Sequence, residues 1–369
     1  MLYVIIMRKV LLVTIQDYNN IGNRLQNYAL QVILEKMQFE VATLSVNNKG
    51  KKDKLYLPKV TVKKALFLLG NTKYVTEISL YERRNKCRKF TRSNIHNIVY
   101  RDRNRLYDED WNEFAFAIVG SDQVWHGWNR IENELSYFYL DFIETSKRIA
   151  YAPSFGFTMF PEKDIIIHKK GLLEMASLSC RENEGCDLIY HLTGRKSEKV
   201  LDPTLLLEPE DWINLEKRPA FLSEKEYLLQ FVLGECINSY QEEITAIAKE
   251  RNLPIVDINN RRDPLKYGIS PSEFIWLVRH AKVICTDSFH AAVFSILFER
   301  HLRVFERSEP RYGNMFGRLV NLLEPFELMN NIYGIGSNYS TKLSERAARV
   351  LLLEKRKSID YLQKSLSQK

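Results

Sequence analysis

Several kinds of protein are argued against by what this 369-residue chain lacks. Its five cysteines (Cys87, Cys180, Cys186, Cys236 and Cys285) include no C-x-x-C pair. Their odd number and scatter argue against a disulfide framework and predict reduced thiols, as in a cytoplasm. No H-E-x-x-H or other metal-ligand spacing occurs, so no metal site is expected. No apolar run approaches a membrane span. Residues 2–7 and 10–15 are apolar, but Arg8 and Lys9 break them. No small-residue cleavage site follows, so this start reads as a ragged first strand rather than a signal peptide. Internal repeats, low-complexity tracts and recognisable nucleic-acid modules are also missing.

What is present is an ordinary globular composition, 45% hydrophobic and 27% charged, long enough for two domains with cores. The charge is unevenly placed. Residues 49–105 hold 17 Lys and Arg against 4 Asp and Glu, a local +13, so the rest carries −5 of the whole-chain +8. Such a region suits a pyrophosphate, an anionic membrane surface or nucleic acid, or is simply a solvated helix face.

The chain is organised around residues 283–298. Val283, Ile284 and Cys285 predict a short buried strand, followed by a polar turn in which Asp287 or Ser288 can cap a helix. Phe289, Val293, Ile296 and Leu297 recur at helical spacing. His290 therefore falls in a helix's first turn, where unpaired N–H groups favour an anion and a histidine can act as acid or base. The plainer reading is a packing histidine.

The remaining pattern alternates strand and helix. Strands are expected over residues 10–15, 39–44, 116–119, 148–152 and 176–180. Polar turns at Gly22-Asn23, Ser121-Asp122-Gln123, Ser154 and Arg181 fall at strand ends, where open parallel sheets bind ligands. Asn23, Ser121, Asp122 and Gln123 are thus candidates for the cleft, or else turn and cap residues. Residues 200–207, with Pro203, read as the crossover to a second domain with strands over 227–233, 254–258, 283–285 and 302–305. Ser270-Pro271-Ser272-Glu273 carries a serine cap, proline at the first helical position and glutamate three after the cap. The expected organisation is residues 1–200 as an N-terminal Rossmann-like domain with a basic insertion at 49–105, residues 201–340 as a C-terminal Rossmann-like donor domain, and residues 341–369 as a helical tail. Residues 62–69 are expected to be the insertion's core. The class is α/β, with two parallel-sheet domains facing a cleft.

An ordered set of motifs goes further. Gly22-Asn23-Arg24-Leu25-Gln26-Asn27-Tyr28-Ala29-Leu30 is followed by Gly120-Ser121-Asp122-Gln123-Val124-Trp125. Ile149-Ala150-Tyr151-Ala152-Pro153-Ser154-Phe155-Gly156, Cys180-Arg181-Glu182 and Asp202-Pro203-Thr204-Leu205-Leu206 come next. Thr286-Asp287-Ser288-Phe289-His290 and the stretch from Arg311 to Arg318 close the set. Together they resemble the polysaccharide pyruvyl transferase family. His126, where asparagine is expected, and Ala291, where glycine is usual, are the departures.

The resemblance implies a fold similar to the two-domain B-type glycosyltransferases. It implies transfer from phosphoenolpyruvate, a co-substrate rather than a cofactor, onto two hydroxyls of a sugar, giving a cyclic pyruvate ketal and phosphate. His290 is then the catalytic acid/base and Arg181 binds the donor. A donor with a carboxylate and a phosphate calls for planar cations and N–H groups. Arg181 and Arg311, from different halves, can clamp it, with Ser288 and Phe289 in the N–H-bearing turn. In this reading His290 protonates the methylene carbon. The resemblance further implies a surface-polysaccharide acceptor, polymer or polyprenyl-pyrophosphate-linked, and a cytoplasmic protein in peripheral contact with the membrane's inner face through the basic region. No nucleic-acid partner is expected. Two other readings stay open: a nucleotide-sugar glycosyltransferase of similar fold, and a non-catalytic carbohydrate-binding protein.

Overall fold

The structure, a computed structural model, describes residues 7–47, 56–127, 134–307 and 316–367. It opens with strand β1 (Lys9–Val13), whose residues Val10 to Val13 are fully buried. A central parallel strand is covered on both faces, which is why its sequence is a continuous apolar run. Helix α1 (Ile21–Lys36) leads to β2 (Glu40–Asn47), and α2 (Tyr56–Leu68) and α3 (Val75–Asn94) lead to β3 (Ile98–Asp102). Next come β4 (Phe114–Val119), the one-turn α4 (Glu134–Tyr137) and β5 (Arg148–Ala150). These five strands form one parallel sheet in the order β3-β2-β1-β4-β5. Helix α5 (Ile165–Leu173), β6 (Ser179–Cys180), α6 (Asn183–Thr193) and β7 (Glu198–Lys199) continue beyond β5, with β6 paired to β7.

Helix α7 (Pro209–Ile213) carries the chain across to β8 (Leu228–Phe231), α8 (Asn238–Glu250) and β9 (Ile255–Asp257). Helices α9 (Pro264–Tyr267) and α10 (Pro271–His280) precede β10 (Val283–Thr286), α11 (Phe289–Leu297) and β11 (His301–Val304). The second sheet is also parallel, in the order β11-β10-β8-β9. The cap of α10 has the reciprocal bonds its sequence requires: Glu273 N donates to Ser270 Oγ at 3.1 Å, and Ser270 N donates to Glu273 Oε2 at 2.7 Å. Helices α12 (Gly317–Leu323) and α13 (Glu345–Leu366) end the described chain.

The strand orders locate the site. In the first sheet the winding reverses between β1 and β4, and in the second between β8 and β10. Such reversals leave a crevice at the strands' carboxyl ends. The turns after β1, β4 and β10 are the ones that carry Asn23, Asp122 and His290.

Three expectations need correction. The basic stretch is not an insertion hung outside the sheet. Its final strand, β3, pairs in parallel with β2, and α3 joins the two domains. Arg83, a cation in a run that reads as solvated, is buried. Its Nε donates to Tyr267 O at 2.7 Å and its Nη2 to Ile258 O at 2.8 Å, both in the second domain. Residues 62–69 are not a core: Leu68 and Leu69 are 83% and 84% exposed, and Val62 is 61% exposed. The C-terminal helix is not a separate tail. Tyr361 Oη donates to Ala150 O at 2.8 Å, and Leu201 N donates to Ser358 Oγ at 2.9 Å, so α13 packs against the first domain. Apolar contacts run unbroken from β1 and α1 through Trp212 to Phe274 and Phe294, giving the two sheets one continuous core. Among the described residues, no helix is long and apolar enough to cross a membrane.

Candidate active site

Helix α11 begins as the sequence predicts, with Ser288 as its cap. Ala291 N donates to Ser288 Oγ at 3.5 Å, and Ser288 N donates to Thr286 Oγ1 at 2.9 Å. Both polar groups of Ser288 are therefore used within the turn. Asp287 points the other way, accepting from Leu233 N at 2.6 Å, Gly234 N at 2.8 Å and Arg307 Nε at 3.1 Å. The turn is held rigidly, and it sets His290 against the first turn of α1. A β-carbon on Gly22 would lie 2.2 Å from His290 Nδ1, so only glycine leaves room for the imidazole. The histidine comes from one domain and its seat from the other.

Around it lies a buried charge cluster. Arg181, 5% exposed, donates from Nη1 to Asp202 Oδ2 at 2.9 Å and from Nε to Glu182 Oε1 at 3.0 Å. The Phe289 ring lies under its guanidinium, 4.2 Å away. Phe289 thus holds Arg181 by a cation–π contact. Ser121 Oγ sits 2.9 Å from Asp202 Oδ2 and 3.0 Å from Ala152 O, fully buried, so it orients Asp202 and does not face the cleft. Asn23 Nδ2 donates to Asp122 Oδ2 at 3.0 Å. The turn needs Gly120: its φ is +127°, and a β-carbon there would lie 1.9 Å from Tyr151 O.

Two polar atoms in the cluster have no hydrogen-bond partner among the described residues, although both are buried. They are Arg181 Nη2, 3.8 Å from Asp122 Oδ1, and His290 Nε2, 3.9 Å from Asp202 Oδ1. Buried polar atoms are rarely left unpaired in a folded protein. Two in one cluster mark a place where a ligand completes the bonding.

The electrostatics decide which groups carry protons. Burial lowers His290's pKa, and Arg181 and Arg318 add to this against the pull of Asp202 and Asp122, leaving it below the ordinary histidine value. The resting imidazole is neutral at neutral pH. Burial alone would raise Asp122, yet Arg181 together with Arg318 and the bond from Asn23 holds it below the usual carboxylate range. Asp202 is likewise held low against burial. A neutral His290 lends it no charge, so Arg181 and the bonds from Thr204 carry that effect. Burial would lower Arg181 too, but Glu182, Asp202 and Asp122 raise it above its ordinary value. Burial, with Arg181 beside it, brings Arg318 down to about 10 against the pull of Asp122 and Glu182.

The family can now be stated, because one sequence profile spans these elements: that of the polysaccharide pyruvyl transferases matches residues 20–309. The chain belongs to the polysaccharide pyruvyl transferase family. Among solved structures, the transferase is similar to a putative UDP-N-acetylglucosamine 2-epimerase from Listeria monocytogenes. The identity is 11%, the TM-score is 0.51, and the match covers 97% of this chain and 91% of that one. It is also similar to a Staphylococcus aureus MnaA–UDP structure, at 9% identity and a TM-score of 0.50, over 96% and 91% of the two chains. At these identities the likeness concerns the fold alone, two Rossmann-like domains as in the B-type glycosyltransferases. No curated protein matches the transferase by sequence.

A cavity of about 600 Å³ adjoins the cluster. Asn23, Asp122 and Gln123 line it, with Gln16 and Asn20 from the first domain and Arg307 from the second. Arg311 lies outside the described residues. Arg307 and Arg318 are the second-half arginines that the structure brings to the site. Sequence reasoning gave neither a role, although Arg318 ends a quoted motif, and it missed the parts played by Asp202 and Gly22. Asp202 stood in a quoted motif, but nothing local indicates that it meets Ser121 and Arg181. Trp125, the last residue of its motif, is wholly buried against Tyr139. No group of three or more His, Cys, Asp or Glu among the described residues is arranged to hold a metal ion.

Proposed function

We propose that this transferase moves the pyruvyl unit of phosphoenolpyruvate onto two hydroxyls of a sugar as a cyclic ketal. The reading is carried by two unpaired buried atoms, His290 Nε2 and Arg181 Nη2, whose side chains flank the same carboxylate, Asp202. Arg181 offers a planar cation to the donor's carboxylate or phosphate, and Arg307 and Arg318 add positive charge from the opposite domain. The N-termini of α1 and α11 both face this point and favour the same charge.

A neutral His290 has no proton to give at the outset, so it acts first as a base. It takes the proton from one sugar hydroxyl, whose oxygen bonds to C2 of the donor as the C=C electron pair takes up that proton from the imidazolium. The methylene carbon thereby becomes the methyl group. The C2–O–phosphate bond breaks, and the second hydroxyl closes the ketal. Its proton leaves with the phosphate, so two hydroxyl protons and the two vinyl hydrogens become one methyl group and one hydrogenphosphate. Asp202, 3.9 Å from Nε2, steadies the imidazolium formed in between.

The deciding experiment is phosphate release from phosphoenolpyruvate with a panel of aryl and lipid-linked glycosides. Mass spectrometry would look for a sugar heavier by one pyruvate ketal. Donor-dependent release with that product supports the reading. Binding and turnover of a sugar nucleotide, with no binding of phosphoenolpyruvate, would replace it with the glycosyltransferase alternative.

The same reading puts the acceptor on a polyprenyl pyrophosphate at the cytoplasmic face of the membrane. Its support is the exposed apolar face of α2 (Val62, Ala65 and Leu68), with Leu69 and the exposed cation Lys73 just beyond. Flotation with anionic vesicles should weaken when Leu68 and Leu69 become serine, and unchanged flotation would end the membrane part of the reading.

A further inference from the structure

The catalytic cluster uses only one side of the large cavity. Asp122, after β4, is where the two meet. From there the cavity passes Thr14 and Gln16 after β1 and Val46 at the end of β2, and reaches Arg103, which follows β3. Because the sheet order is β3-β2-β1-β4, that path crosses three strand spacings, roughly 14 Å from β4 to β3. A three-carbon donor held at Arg181 and Arg307 leaves most of this length empty. The unfilled part is lined by amides (Gln16, Asn20, Gln123) and by Tyr137 and Phe138, the mix of hydrogen-bonding groups and aromatic faces that a sugar requires.

Arg103 stands apart from the other cations in this wall. Its guanidinium lies 5.7 Å from the Tyr137 ring centre, and its buried Nη2 has no hydrogen-bond partner among the described residues. Arg307 by contrast is paired with Asp287. A half-buried arginine with an unused donor at the far end of a sugar-sized trough is a reader of negative charge.

We propose that this trough is the acceptor site, and that Arg103 selects an acceptor bearing an anionic group, a phosphate or a carboxylate, beyond the sugar that is pyruvylated. The proposal rests on the pyruvyl-transfer reading and names its acceptor class. The reacting hydroxyls lie at the Asp122 end, near His290, and the charged group lies against Arg103.

The test is calorimetric titration of the full chain, saturated with phosphoenolpyruvate or with the donor site empty. Probes are the 1-phosphates, the uronates and the methyl glycosides of glucose, galactose and mannose. At least one charged probe is expected to bind about tenfold or more tightly than its neutral counterpart. Arg103→Gln should erase that preference and Arg103→Lys should keep part of it, with Tm and phosphoenolpyruvate affinity unchanged in both. A preference for the 1-phosphates would assign a phosphate-bearing acceptor, and one for the uronates an acidic sugar. Equal binding of charged and neutral probes, binding of none, or a preference that survives Arg103→Gln would overturn the proposal. Failure of the wild-type chain to bind phosphoenolpyruvate, read separately, would count against the pyruvyl reading and not against the Arg103 preference.

Discussion

The inner cluster and the outer trough share one crevice and differ in how their charge is held. In the cluster, Arg181 contacts three carboxylates, and Asp202 is fixed by Ser121, Thr204 and Arg181 at once. Charges are balanced and buried, and the geometry is set before any ligand arrives. In the trough Gln16 donates to Leu44 O and accepts from Ser45 Oγ, and Asn20 caps α1, while Arg103 keeps an unused donor. Preorganised charge is what a reaction needs, because reorganising it during the reaction costs rate. Open bonding capacity is what recognition needs, because the ligand supplies the missing partner. The same sheet edge therefore serves chemistry at β4 and selection at β3.

Substitutions can break this contrast at either end. The largest effect is expected for His290→Asn, a loss of about 10² to 10⁴-fold in kcat with phosphoenolpyruvate binding retained. Full turnover by a folded variant would remove His290 from the mechanism. In the wild-type chain, kcat/KM should hold through neutral pH and fall only below the ordinary histidine range, because burial keeps the resting imidazole neutral. An acid limb above pH 7 would contradict that.

Gly22→Ala should come next. The added carbon must displace the imidazole or separate the domains, and a misplacement of that kind costs on the order of 10²-fold. Circular dichroism should show the fold intact, and activity near wild type would mean that the contact is loose.

A smaller effect, on stability, is expected at His168, away from the crevice. It is buried among Phe155, Phe157 and Phe160 and bonded to Tyr139 at 2.7 Å, and burial lowers its pKa to about 3. The unfolded chain binds this proton near pH 6.5 and the folded chain does not, so stability falls as pH drops through that interval. The loss should be about 2 kcal/mol at pH 5 relative to pH 8. In His168→Phe the denaturation midpoint should lose this part of its pH slope between pH 6.5 and 4, and an unchanged slope would refute the assignment. Arg103→Gln, with its roughly tenfold change in acceptor preference, completes the series at the trough.

What the sequence made legible was local. The strand and helix around His290 stand where their apolar spacing puts them, because a buried parallel strand and a capped helix are both written in a few adjacent residues. The cap at Ser270 and the polar turns at strand ends were readable for the same reason. What was hidden depends on distant partners. Arg83 looks like one more cation in a basic run, and only two carbonyls nearly two hundred residues away make it a buried link between the domains. Residues 62–69 carry the apolar content of a core, but α2 lies at the periphery with nothing packed on its outer face among the described residues. Asp202 is the clearest case among the site residues. Its proline context marks a crossover, while its bonds to Ser121 and Arg181 exist only once the chain has folded back.

The return of α13 to the first domain has a consequence for how the molecule is made. The helix that caps Ala150 and Leu201 is translated after the whole second domain, so the first sheet emerges from the ribosome long before its covering does. The contacts that the first domain makes with α13 therefore form only after the second domain has been synthesised. Ala150 and Leu201 are covered by α13 only at that late point.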